Sequence, residues 1–403
     1  FPRLTPHQTE ELKMNTASSH TVQNLIRLSP PGLCRRAALL LPILCLLLTD
    51  CRPAAASTNL RAELNVVAKN VASLLKGLGE ESIAMGRFTF DSETKLNATA
   101  GPGIAKILSE ELQKAGIATN PEATWTVEGN CADVTDARSG QLAAMISGKI
   151  VNNATGQQLT TFRRGVFGDA TLASLFGTTV ELDPQAEPAA RDRALVRSLD
   201  SPTAVIDDDA VSAAADSSYA IQVLVREGDN YVVRQPVLRD GQAFVEIARD
   251  EVYAIRILNR SKEEAAASVS IDGLSLFAFS ENTNYEVVVL PAGSSGLIKG
   301  WHRSNSTSDA FQVMEYSKSA VARLLPQSTG AGTITVTFAA CFPEDAPPPE
   351  DEPPATKARD FARQTGNATG QGPRLEQGYR EVRRVFGVTR SSVSVRYTSV
   401  PAK

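Results

Sequence analysis

The chain has 403 residues, with 41 Lys and Arg against 45 Asp and Glu and a formal net charge of −4. That length can build two domains with cores of their own, and the mild acidity excludes the basic face a nucleic-acid partner needs. Three histidines and five cysteines, in no metal-ligand spacing, leave little for nucleophilic or metal chemistry.

Residues 1–34 are polar and read as non-structural or as an extended signal n-region, with Met14 the first methionine. Residues 35–56 have the layout of a bacterial signal peptide. Arg35 and Arg36 precede the apolar run 37–48, which is shorter than the roughly 20 residues that span a bilayer. Leu48-Thr49-Asp50-Cys51 is similar to a lipobox, in which Cys51 would be diacylated and the chain cut between Asp50 and Cys51. Asp50 departs from the small residue such boxes prefer. A rival Ala-x-Ala site at Ala54-Ala55-Ala56 would place the cut between Ala56 and Ser57 and release a soluble protein. Either way the protein is expected to be exported, to the periplasmic face of the outer membrane or to the periplasm or exterior. A membrane is a partner only through a Cys51 anchor. Once this leader is removed, His302 is the one histidine left, and Cys131 and Cys341 are read as buried free thiols.

Residues 60–182 read as an α+β domain of helices on a small, mainly antiparallel sheet. Leu60, Leu64, Val67, Val71, Leu75 and Leu78 recur at helical spacing and stop at Gly77 and Gly79. A strand over 82–90 follows. A second helix shows Ile104, Ile107, Leu108 and Leu112 on one face and ends at Gly116. Strands over 125–128, 145–152 and 158–163 and a short helix over 170–176 complete the order. Gly101-Pro102-Gly103 matches no nucleotide-binding pattern and is read as a helix start.

Three segments resemble the periplasmic domain shared by curli-secretion lipoproteins and the lipoprotein activators of penicillin-binding proteins. They are Ile83-Ala-Met-Gly-Arg-Phe88, the helix running from Gly103 to Ile117, and the hairpin running from Gly148 to Leu159. The resemblance implies a protein-binding envelope module. A curli-type pore would need long membrane-spanning hairpins, and the chain offers none.

Residues 183–218, rich in Ala, Asp, Pro and Ser, read as a linker, with Asp207-Asp208-Asp209 a solvated charge cluster. Residues 219–403 read as an all-β sandwich of short strands separated by turns such as Gly228-Asp229-Asn230 and Asp272-Gly273. One short helix is expected over 319–325. The acidic, proline-dense loop 343–357 is expected to be exposed, with the strand over 392–397 returning beside 333–341.

Two candidate binding features stand out in this half. Trp301, His302 and Arg303 sit in a polar stretch that reads as a sugar- or peptide-binding loop, set against a core role for Trp301. Arg374, Arg380, Arg383 and Arg384 fall on a basic helix expected over 375–386, where lipid headgroups or another anion would dock. Ordinary ion-paired exposure is the competing account of that helix. No catalytic residue, cofactor or metal site is assigned. The chain is therefore read as a non-enzymatic envelope module that binds a protein partner. The alternatives are glycan or surface binding through the sandwich and a cryptic carboxylate-based hydrolase.

Overall fold

Leu60–Gly77 forms helix α1, which buries Leu64, Val67, Ala68, Val71 and Leu75 on one face. The computed structural model describes residues 60–90, 101–135, 141–282, 285–313, 331–353 and 374–400. The leader with Cys51 and Ala56, and the helix expected over 319–325, lie outside the described residues. Strand β1 (Ser82–Phe90), helix α2 (Gly101–Lys114) and strands β2 (Ala118–Thr119), β3 (Trp125–Thr135), β4 (Leu142–Asn152) and β5 (Gln158–Val166) follow.

These strands make a five-stranded sheet in the order β2-β1-β3-β4-β5. It is mixed, which corrects the expectation of a mainly antiparallel one. β1 pairs in parallel with both β2 and β3, and only β3–β4 and β4–β5 are antiparallel. The reason is α2, which carries the chain back between β1 and β3, and such a crossover joins parallel strands. Helices α1 and α2 pack on each other through Arg61, whose guanidinium reaches Glu110 at 2.7 Å and Glu111 at 2.5 Å. On the same side, Gly129 and Gly148 face each other across β3 and β4. A Cβ on Gly148 would stand 2.2 Å from Phe162 Cζ, so the glycine makes room for that ring.

The stretch expected as a linker is instead built into the fold. Helix α3 (Asp169–Phe176) and strand β6 (Val180–Glu181) lead into helix α4 (Pro188–Asp200) and strands β7 (Val205–Asp207) and β8 (Ala210–Ser212). β7 and β8 form a hairpin that turns at Asp208 with a φ of 55°. In that turn Asp207 pairs with Arg260 at 3.3 Å, and Asp209 accepts from Gln222. Among the described residues no group of three or more His, Cys, Asp or Glu is placed to hold a metal ion.

The remaining strands are β9 (Tyr219–Glu227), β10 (Asn230–Val233), β11 (Val237–Arg239), β12 (Gln242–Ala248), β13 (Val252–Asn259), β14 (Ala265–Ile271), β15 (Leu274–Ser275) and β16 (Val288–Leu290). They continue as β17 (Ser294–Ile298), β18 (Gly300–Ser304), β19 (Thr307–Gln312), β20 (Ala331–Phe342), β21 (Arg374–Glu376) and β22 (Val385–Val400). A nine-stranded sheet runs β18-β19-β13-β9-β8-β7 with β10, β17 and β21 added on β9, β13 and β19, and an eight-stranded one runs β11-β12-β22-β20-β14-β15 with β16 and β6 added on β14 and β22. One apolar cluster joins them, in which Tyr219 stacks on Phe338 and Tyr253 on Phe311. As expected, β22 returns beside β20, and the two are antiparallel.

The described residues all fall in one compact unit, and β22 is where its parts meet. β6 pairs with it, and Thr178 O accepts from Ser392 Oγ at 2.9 Å and Ser394 Oγ at 3.1 Å. The buried Arg191 of α4 reaches Asp169 at 2.6 Å, Asp183 O at 2.7 Å and Thr389 O at 2.6 Å. Arg396 is buried beside Gly177 O and Thr333 Oγ1, and burial brings its guanidinium down to about 10. Buried cations persist only when paired and hydrogen-bonded in this way.

The acidic proline-dense loop is also anchored in its described part. Glu352 accepts from Val388 N at 2.6 Å and pairs with Arg390 at 3.1 Å, and Asp351 also pairs with Arg390. Cys131 and Cys341 are both buried and free. Burial first, then a neighbouring carboxylate, raises each thiol to about 12.

Candidate functional site

The five-stranded sheet keeps its helices on one face only. The other face is built from the polar half of the strand alternation, and the register lines these residues into rungs. Thr89 stands beside Asn130, Asn130 opposite Ser147, and Ser147 opposite Arg163, one residue from each of β1, β3, β4 and β5. A second rung places Glu128 opposite Lys149 and Lys149 opposite Thr161. A bulge between Met85 and Phe88 sets Gly86 and Arg87 against Glu128 alone. A Cβ on Gly86 would meet Glu128 Cβ at 2.8 Å.

This face encloses an open concavity of about 690 Å³. Among the described residues its cations are Arg87, Lys149 and Arg163, and Glu128 is its one carboxylate. Lys149 lies 3.2 Å from Glu128, with both side chains roughly half exposed, which leaves the two arginines without a charge partner among the described residues. On a chain that is acidic as a whole, this is a local positive surface rimmed by hydroxyls and amides. It offers donors for carboxylate or carbonyl groups.

The residues singled out by sequence fall elsewhere and do not converge. Trp301, His302 and Arg303 are not on a binding loop. They lie on β18, hairpinned to β19. Trp301 is 8% exposed and packs edge-on against Phe279 and Phe311, so the core role is the observed one. His302 is 1% exposed, and Arg303 pairs with Asp309 at 3.2 Å.

The basic helix expected over 375–386 does not form. Arg374 begins β21, an irregular segment holds Arg380, Arg383 and Arg384, and β22 starts at Val385. Arg384 is bound to Glu264 at 2.5 Å and 3.1 Å, while Arg380 and Arg383 are exposed. The helix is lost because Gln377 N and Tyr379 N donate to Ser306 O and Asn305 O of the β18–β19 turn.

The sheet face itself was not read from the sequence. Its signal was the alternation Thr126, Glu128, Asn130 on β3 and Ser147, Lys149 on β4, which gains meaning only once the register is known.

Among the described residues no helix is long and apolar enough to cross a membrane. No protein-family model matches the chain. No curated protein sequence matches it at significant similarity. Among solved structures, the LpoB C-terminal domain from Salmonella enterica aligns over 27% of this chain and 98% of its own, at 10% identity and a TM-score of 0.21.

Proposed function

We propose that the protein is a non-enzymatic, exported binding module of the bacterial cell envelope. In this reading it recognises a protein partner through the uncovered face of its five-stranded sheet. The observation behind it is that face, where Arg87 and Arg163 have no charge partner among the described residues and border a concavity of about 690 Å³ on an otherwise acidic chain. A helix-free, hydroxyl-rich sheet face with fixed cations suits a partner that presents carboxylates and backbone carbonyls. If residues 35–56 act as a leader, that partner lies outside the cytoplasm, and Cys51 acylation would hold the module at a membrane.

Photo-crosslinking from Thr161 in intact cells tests the docking surface. A discrete protein adduct should form and should be lost in the double variant Arg87→Glu, Arg163→Glu. No adduct, or one indifferent to both reversals, would refute the reading. Labelling with a palmitate analogue, wild type against Cys51→Ala, separately decides between anchoring and release.

A further inference from the structure

After β21, residues 377–384 run without regular structure across the β18–β19 hairpin. Their backbone is held at two points, Gln377 N to Ser306 O at 3.1 Å and Tyr379 N to Asn305 O at 2.7 Å. The Gln377 side chain adds a donation to Leu297 O at 2.7 Å and accepts from Lys299 N at 3.1 Å.

Beneath this segment lies His302. Its ring is enclosed by Phe277 at 5.1 Å, Tyr285 at 5.3 Å and Tyr379 at 4.8 Å, so Tyr379 of the overlying segment is the wall that closes the box. Nδ1 meets Ser280 Oγ at 3.1 Å, and Nε2 has no hydrogen-bond partner among the described residues. Burial at this depth favours the neutral imidazole, because the charged ring would lose its hydration.

The charged groups around it do not supply an acceptor. On its own strand and the next, Arg303 and Asp309 are spent on each other at 3.2 Å. Glu381 of the overlying segment is engaged by Tyr285 Oη at 3.1 Å. Ser308, opposite His302, is fully buried, and burial pushes Tyr379 up to about 12, so neither offers a negative charge. Glu281 is exposed, and its charge and the Asn305 side-chain acceptor both favour the charged ring. Burial outweighs both, and the imidazole sits below its ordinary value of 6.5.

We propose that residues 374–384 are an acid-released strap, latched by Tyr379 against the neutral imidazole of His302. Protonation of that ring favours the state in which Tyr379 has swung away and water reaches Nε2. Release also strips β21 from β19 and leaves one edge of β19 without its ladder, an unpaired strand edge that another chain can join.

Amide hydrogen exchange on the full chain tests the strap. After correction for intrinsic rates, protection of Gln377 and Tyr379 should fall several-fold between pH 7.5 and pH 5.0. The ordinary value of 6.5 bounds that fall at about thirty-fold. In His302→Phe the protection should not change with pH. Equal wild-type protection at both pH values would overturn the proposal, as would the same fall in His302→Phe. If His302→Phe fails to fold, Tyr379→Ala decides. Opening the wall should raise the His302 titration midpoint, read from its imidazole proton resonance, to the ordinary value. An unmoved midpoint would overturn the latch.

Discussion

Arg191 of α4 donates from Nη2 to the carbonyl oxygen of Thr389 on β22 at 2.6 Å, while its Nε holds Asp169 of α3 at the same distance. One buried guanidinium thus ties the helical end of the first sheet to the central strand of the second half. Breaking a buried pair from one side leaves an uncompensated charge and costs about 3–5 kcal/mol. Arg191→Met should destabilise the protein by that order in urea titration. The double variant Arg191→Met, Asp169→Asn should recover a substantial part of the loss, because no lone charge remains.

Asp192, next along α4, should give a pH signature of opposite sense to ordinary acid denaturation. Burial, helped by Asp169 and opposed by the Leu142 N–H and Arg191, raises its carboxyl to about 6 from a usual 3.8. The folded state therefore holds the proton more tightly than the unfolded one. That contribution to stability is complete below about 3.8 and is lost as pH rises through about 6. Asp192→Asn should raise the Tm relative to wild type at pH 7.5, with the difference shrinking towards pH 4. A pH-independent difference between the two proteins would contradict the assignment.

Glu352 fixes the acidic loop to the sandwich. A Cβ on Gly387 would lie 2.3 Å from Glu352 Oε2, so Gly387→Ala should expel the carboxylate. Losing a charge-assisted bond to Val388 N costs about 1.5–3 kcal/mol. Limited proteolysis should then cut between residues 343 and 353 in Gly387→Ala and Glu352→Gln well before it does so in wild type.

The two buried thiols should be chemically silent. With Cys131 and Cys341 both raised to about 12, iodoacetamide at pH 8 should leave them unmodified in the folded protein and alkylate them after denaturation. Peptide mapping reads both states directly.

Gly148 tests the packing behind the candidate docking face. Gly148→Ala would push a methyl into Phe162 and should cost about 1–3 kcal/mol. Adding Phe162→Leu should return part of that stability, measured by the same urea titration.

The sequence showed most clearly the elements whose burial is periodic. Leu64, Val67, Val71 and Leu75 announced α1, and the alternation in 392–397 announced a strand that does return to β20. It concealed α4, whose buried face consists of Arg191, Leu195, Ser198 and Leu199, two polar residues among four. A helix that buries an arginine leaves no apolar stripe for periodicity to find.

The segment 375–386 failed for the opposite reason. Its Leu, Tyr, Val and Arg spacing fits a helix, but its backbone donors are taken by carbonyls some 70 residues earlier in the chain. Local propensity has no access to that competition. The candidate site was hidden in the same way, because Thr89, Asn130, Ser147 and Arg163 become neighbours only through strand register.

β22 also bears on how the protein can be made. β6 at 180–181 finds its partner at 391–392, and α4 finds the Thr389 carbonyl 198 residues further on. A chain emerging amino end first, from a ribosome or a translocon, must hold α3, α4 and β6 unsatisfied until some two hundred more residues have appeared. Closure at such sequence separation is slow. Until β22 arrives, β6 and α4 lack these partners, so this part of the fold can close only late.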